Sequence, residues 1–289
     1  MPNGILIVDK PQDWTSMDVC AKLRGVLGEK RIGHAGTLDP MATGVLPVFV
    51  GRATRAVQYA ERGEKEYEAL LRLGLTTDTQ DVWGTPLEEK PVPTDAQERL
   101  RALLPQFTGE IRQVPPMYSA VKIGGKKLYE LARKGQEVER KPRTVTIQEL
   151  EVTDTPGGSD FTLRVRCSKG TYIRTLCHDM GQALGCGGAM AALRRAMAGG
   201  FTLADSHTLE EVLAHPDPTA LLLPVDSLFS DRPALKLTGR QAERLSHGGS
   251  FSTPAQPGEY RAYSPDGVFL ALCQVSDGAL STIKSFFEV

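Results

Sequence analysis

Capped helical stretches and alternating strand-like stretches interleave along most of the chain, then give way to a strand-rich C-terminal tail. The sequence therefore predicts a fold of mixed α and β structure carrying a small β-rich appendage. Three observations support this. Residues 65–73 alternate, with Tyr67, Ala69, Leu71 and Leu73 on one face and Glu66, Glu68, Leu70 and Arg72 on the other, which is the period of a strand. Thr15 and Asp18 form a capping-box pattern followed by Val19, Leu23, Val26 and Leu27 at helical spacing. From Asp231-Arg232-Pro233 onward the texture changes: one short helix at 238–246 precedes strand-like stretches at 259–263, 268–275 and 283–287, with a strong turn at Ser264-Pro265-Asp266-Gly267.

Taken in order, residues 5–8 read as a short buried strand that places Lys10 at a strand end, as either a site candidate or plain surface. The first helix stops at Gly28. Residues 45–50 are apolar enough for a strand, although Pro47 suggests an edge or a bulge. A helix over 53–62 follows and ends at Gly63. Asp78 and Asp81 sit in a polar loop at 76–84 that lacks the oxygen count of a calcium loop, so no metal is assigned. Thr94 and Gln97 cap a helix that Pro105 ends, and Pro115-Pro116 opens a strand-like 117–121, a Gly124-Gly125 turn and a helix over 126–134. Strands at 143–152 and 161–167 are joined across Pro156-Gly157-Gly158. The helix starting at Thr171 carries Ile173, Leu176, Cys177, Met180 and Leu184 as a stripe, and a further helix is expected over 189–198. Arg174 falls in the first turn, where the helix dipole disfavours a cation, so a compensating anion is expected beside it.

Composition narrows the function classes. With 289 residues and 40% hydrophobic content, the chain has material for a proper core. Its only early apolar run is too short for a signal segment or membrane span, which predicts a cytoplasmic protein. Five scattered cysteines without a C-x-x-C pair indicate reduced thiols, and Cys177-His178 lacks a second ligand pair for zinc. The formal net charge is only −1, yet residues 122–143 hold eight basic residues against three acidic ones, with Tyr118 and Tyr129 nearby. Such a stretch is either a solvated face or a phosphate-tracking surface.

Residues 33–44, GHAGTLDPMATG, surround one imidazole and one carboxylate with small residues. Runs of Gly, Thr, Asp and Pro also mark ordinary turns. Here Pro40 biases Asp39 towards an extended conformation, so its carboxylate should project from a loop that a ligand can approach.

This stretch resembles the defining motif of the tRNA pseudouridine-55 synthase family of pseudouridine synthases. The other family-like stretches follow in order: Val8-Asp9-Lys10-Pro11, the lysine and tyrosine of Lys65-Glu66-Tyr67, Thr76-Thr77-Asp78-Thr79 with Asp81, Pro116-Met117-Tyr118-Ser119-Ala120 through Tyr129, Gly170-Thr171-Tyr172-Ile173-Arg174, and Leu193-Arg194-Arg195. The appendage resembles, more weakly, the small C-terminal RNA-binding domain of bacterial members. The resemblance implies an α+β catalytic domain built on a mixed sheet over residues 1–231, with a basic RNA-binding insert at about 115–142, and a PUA-like domain over 232–289. It further implies isomerisation of a uridine in the tRNA T loop by a monomer that needs no cofactor, metal, membrane or DNA.

By position, the resemblance makes Asp39 the nucleophile, attacking the uracil ring or the ribose, with Arg174 paired to it. Tyr67 would stack on the flipped base, Tyr172 and Leu193 would line its pocket, His34 would contact RNA where the base left its stack, and Lys10 would support the motif loop. A non-catalytic RNA-binding or RNA-folding module on the same fold is the alternative from another class. Guide-RNA-dependent relatives share the motif, but the lysine-rich insert and short appendage favour a stand-alone enzyme.

Overall fold

Two sheets organise the computed structural model, which describes residues 1–287. The larger is a mixed ten-stranded sheet whose main path runs His207–Thr208, Gly4–Lys10, Thr43–Val50, Gly188–Ala198, Lys65–Leu73, Asp160–Cys167, Arg143–Gly157 and Gly109–Gln113. Ile32–His34 and Phe201–Thr202 pair beside this path. Most neighbours are antiparallel, but His207–Thr208 lies parallel to Gly4–Lys10, and Gly188–Ala198 parallel to Thr43–Val50. With its helices set against this sheet, the chain is an α+β protein.

Helix Ile173–Leu184 packs its stripe of Ile173, Leu176, Cys177, Met180 and Leu184 against Ala69, Leu71, Leu163 and Val165. Helix Ser16–Leu27, closed by the Thr15–Asp18 capping box, buries Val19, Cys20, Leu23 and Leu27 against Leu6, Val8, Leu46 and Val48 on the other half of the sheet. Helix Ala96–Leu103 begins after Asp95 without a side-chain cap, so the expected cap by Thr94 does not form.

Three sequence expectations are corrected. Residues 189–198 form a strand rather than a helix, although Ala, Leu, Arg and Met all favour helix. Pairing along most of Lys65–Leu73 outweighs that propensity. Strand Thr43–Val50 is interior rather than an edge. The N and C=O of a strand residue point to the same side, and the Pro47 carbonyl accepts Ala35 N–H at 2.9 Å, away from its antiparallel partner Ile7. The missing N–H therefore costs no ladder bond with that partner. Residues 117–121 form bends rather than a strand, because the hairpin pairs only Lys122–Ile123 with Lys126–Lys127.

One close approach positions the site. The strands Thr43–Val50 and Gly188–Ala198 meet only at Thr43–Arg194 and Gly44–Arg195. Gly44 has φ +101°, and a Cβ there would lie 2.3 Å from the Arg195 carbonyl oxygen, so no larger residue fits. Past this contact the two strands diverge. Residues 80–82 run beside the far end of Gly188–Ala198, with Met190 N–H donating to Gln80 O and Val82 N–H to Met190 O, each at 3.0 Å. Residues 191–193 face the gap between them.

The smaller sheet orders Ala234–Lys236, Gly258–Tyr263, Phe269–Ser276, Ala279–Ser285 and Phe251–Ser252. Its last strand ends at Ser285 rather than running over 283–287, and the final two positions of the expected 232–289 unit lie outside the described residues. Helix Gly239–Ser246 is capped by Thr238 with Gln241. The sheet shares a core with the main one: Leu272 and Phe286 are buried with Ile5, Phe49, Ala53 and Phe229. Phe229 meets Tyr59 edge-on at 5.4 Å and Phe286 at 6.0 Å, while Tyr263 Oη donates to Asp226 Oδ2 at 2.6 Å. Phe229→Ala is expected to cost about 3–5 kcal/mol and to let the small sheet melt first in denaturant, read as a second transition absent from the parent.

Candidate active site

The motif loop is held by backbone and buried side chains rather than by bulk of its own. Ser16 Oγ accepts Leu38 N–H at 2.9 Å and donates to the Leu38 carbonyl at 3.2 Å. The Pro40 carbonyl accepts Asp13 N–H at 2.8 Å and the Lys10 ammonium at 3.1 Å. Lys10 is fully buried and also donates to the Trp14 and Pro11 carbonyls at 2.6 and 2.8 Å. Burial pulls its pKa down to about 8, against the opposing charges of Asp13 and Asp39. Arg195, also fully buried, donates from Nε to Val45 O at 2.7 Å and from Nη2 to Gly36 O at 3.1 Å. Two buried cations thus grip both ends of the loop through its carbonyls.

Asp39 projects from this loop with its side chain 34% exposed, and Arg174 Nε lies 3.0 Å from Asp39 Oδ2. Its other oxygen, Oδ1, takes no hydrogen bond among the described residues. The Arg174 guanidinium is shared further: Nη1 lies 3.7 Å from Asp81 Oδ2 and donates to Thr79 O at 3.2 Å, while Nη2 donates to Tyr118 O at 2.8 Å. The cation in the helix's first turn therefore faces two carboxylates. Asp81 is buried, and burial raises its pKa, with the Asp39 charge adding to the effect. The Thr79 hydroxyl at 2.7 Å, Arg174 and the Trp83 N–H at 3.1 Å oppose that rise. A pinned carboxylate with one free, solvent-reachable oxygen is suited to nucleophilic attack.

Tyr67 points from its strand into the cluster that holds Leu38, Ala42 and Leu193, and is only 7% exposed. Burial raises the pKa of its phenol, and the charge of Arg195, its cross-strand neighbour, opposes the rise. Leu193 lies on a strand, not on the expected helix. Tyr172 occupies the N-cap of Ile173–Leu184, where its N–H donates to Gln113 Oε1 at 3.0 Å and its carbonyl accepts Gln113 Nε2 at 3.3 Å. His34 ends the strand Ile32–His34. Burial first and the Arg195 charge second lower its pKa, and its Nδ1 has no hydrogen-bond partner among the described residues. Asp39, Arg174, Lys10, Tyr67 and Leu193 are thus drawn together around the loop; Tyr172 adjoins through its helix, and His34 through Arg195.

Sequence reasoning missed three residues. Asp81 stood in a family-like stretch and in a carboxylate pair considered for metal but was given no role, though a cation in a helix's first turn leaves room for a second anion. Arg195 was hidden in a presumed helix. Nothing local marks Gln113, whose role arises from a helix N-cap, Tyr172, 59 residues away in sequence. The basic insert reaches the site through Tyr118 O, and in it Lys127 Nζ and Arg133 lie 5.4 and 5.5 Å from the Tyr129 ring centre. Among the described residues, no helix is long and apolar enough to cross a membrane.

Comparison with known proteins matches three consecutive family models. Residues 24–173 match the N-terminal domain of the TruB family pseudouridylate synthases, residues 174–230 the C-terminal domain of tRNA pseudouridylate synthase B, and residues 233–287 the tRNA pseudouridine synthase II C-terminal model. The chain is 46% identical over 283 residues to tRNA pseudouridine synthase B of Stutzerimonas stutzeri, covering 95% of this chain and 92% of that one. It is 43% identical to the same-named protein of Thermobifida fusca, over 99% of each. Among solved structures, a Cbf5-Nop10-Gar1 complex aligns with a TM-score of 0.73 at 27% identity, over 98% of this chain and 85% of that chain. An H/ACA RNP bound to a substrate RNA containing 2′-deoxyuridine aligns equally well, at 25% identity over 99% and 85%. With motif, fold and near full-length similarity in agreement, this chain belongs to the TruB family of pseudouridylate synthases.

Proposed function

We propose that this protein isomerises uridine to pseudouridine in the T loop of tRNA, at position 55, acting alone without a guide RNA. The observation that supports this best is the Asp39 carboxylate pinned by Arg174 at 3.0 Å with its second oxygen free. In this isomerisation the N1–C1′ bond breaks, a C5–C1′ bond forms, C5 gives up a proton and N1 gains one. The change is redox-neutral and needs a nucleophile and a base-sized site. Asp39 attacks the ring or the ribose. Arg174 holds one oxygen of that carboxylate and so aims the other. Tyr67 backs the flipped base, Tyr172 and Leu193 line its pocket, and His34 meets the RNA that the base has left.

Extracting a base costs a few kcal/mol, and one aromatic stack returns about 1–3 kcal/mol. Phosphate contacts from the lysine-rich insert supply the remainder. The names of the similar proteins support tRNA as substrate, and the insert with the short appendage supports stand-alone action. On this reading residues 1–231 are the catalytic unit, acting as a monomer, and residues 232–289 an RNA-binding unit.

The test is to incubate the purified protein alone with an unmodified T stem-loop transcript and map pseudouridine. Asp39→Asn is expected to lose at least about 10⁴-fold in turnover while keeping RNA affinity within a few fold; a variant that retains the protein's activity would instead support the non-catalytic module. Binding is expected to weaken steeply between low and moderate salt, with a log–log slope that flattens by about 0.7–0.9 for each phosphate-contacting lysine replaced among Lys122, Lys126 and Lys127, measured by filter binding.

The Lys10 shift yields a pH prediction. Because its pKa is lowered to about 8, the ammonium grips Pro40 below that pH and is lost above it. Turnover should therefore fall on the alkaline side with a midpoint near 8, and Lys10→Arg, which stays charged, should move that limb upward. A pH–rate profile of the two proteins checks this.

A further inference from the structure

We infer that Trp83 forms a second base-binding position beside the cleft, where an unpaired base of the substrate RNA stacks on its indole. This rests on the proposed RNA substrate and extends it to a residue outside the motif. Trp83 is 50% exposed on the loop that follows Asp81, and among the described residues its indole has no ring contact or hydrogen bond. A single exposed apolar side chain is ordinary on a protein surface; what sets this indole apart is the cavity that it lines.

The position is built into the catalytic machinery. Trp83 N–H donates to Asp81 Oδ1 at 3.1 Å, and the other Asp81 oxygen faces Arg174. The loop is further fixed by Val82 N–H on Met190 O at 3.0 Å. Trp83 lines a cavity of about 310 Å³ with Met41, Thr43, Leu193 and Arg194. Met41 lies two residues beyond Asp39, so the cavity occupies the gap between the two carboxylate-bearing loops. It shares Leu193 with the pocket proposed for the target uridine, but Tyr67, Tyr172 and Arg174 do not line it. Its floor is Glu68, Leu70 and Thr162, on the sheet face opposite Tyr67, so it adjoins that pocket at Leu193 alone.

Its chemistry suits a flat heteroaromatic ring. An indole face offers stacking to any base, the Arg194 guanidinium is held by Asp9 at 2.7 Å as a neighbouring planar cation, and the volume lies at the small end of the range for ligand pockets, with room for one base. Recognition of RNA loops relies on splayed bases stacked on aromatic side chains.

The chain has two tryptophans, so Trp14→Phe leaves Trp83 as the sole indole reporter. Titrating that variant with the unmodified T stem-loop should quench its emission saturably, with the midpoint of an independent binding curve. Trp83→Ala in the otherwise unaltered protein should raise KM for that RNA about 5- to 30-fold with kcat within about twofold, and Trp83→Phe should recover most of the loss. RNA binding without quenching together with an unchanged KM overturns the inference. So does a fall in kcat at constant KM, which would make Trp83 a support for Asp81, or quenching that follows protein concentration rather than RNA. If the parent makes pseudouridine while Trp83 is silent, only this inference fails; if the parent makes none, the proposed function fails, and the quenching titration still reports on Trp83.

Discussion

The Arg174 guanidinium is the group on which the rest of the site depends. It lies almost buried in the first turn of a helix, where the dipole disfavours it, and it is stabilised by Asp39, Asp81 and the carbonyls of Thr79 and Tyr118. Four separate parts of the chain therefore meet at one cation: the helix, the motif loop, the loop at 77–85 and the root of the basic insert. Breaking a buried pair by removing one partner typically costs about 3–5 kcal/mol, because a charge is left uncompensated. That cost applies to Asp81, which is buried with the cation, more than to Asp39, whose side chain is 34% exposed.

The same logic recurs one layer out. Lys10 and Arg195 are fully buried, and each donates to backbone carbonyls in or beside the loop. This explains why a loop made of Gly, Ala and Thr can be rigid. Its small side chains let strands approach, as at Gly44 against Arg195, and the cations reach in from neighbouring strands to satisfy the backbone. The surface around Asp39 is left with little side-chain bulk.

The appendage and the insert are tied to this centre in different ways. The small sheet joins the main one through a shared aromatic core around Phe229, a non-directional contact that resists salt. The insert is tied through the Tyr118 carbonyl, which accepts a hydrogen bond from the Arg174 guanidinium, while Lys122 and Lys126 remain exposed. One attachment is a shared apolar core, and the other leaves a charged surface joined to the Arg174–Asp39 pair.

Local sequence determined what local forces control. The Thr15–Asp18, Thr208–Glu211 and Thr238–Gln241 boxes mark helix starts, the alternation at Lys65–Leu73 marks a strand, and the misplaced cation at Arg174 already called for an anion. The ordered motifs carried the family, and with it the mixed sheet. Tertiary structure alone decided the rest. Residues 189–198 have helical propensity, but ladder bonds to a strand more than a hundred residues away make them the centre of the sheet. Asp81, Gln113 and Arg195 acquire their roles only from partners 93, 59 and 150 residues distant, and the gap beside Trp83 lies where two strands that pair at only two positions part. Capping and periodicity act within a turn or two of chain and are written in it; pairing across the sheet and the burial of charge depend on which distant segments arrive, and no local pattern records that.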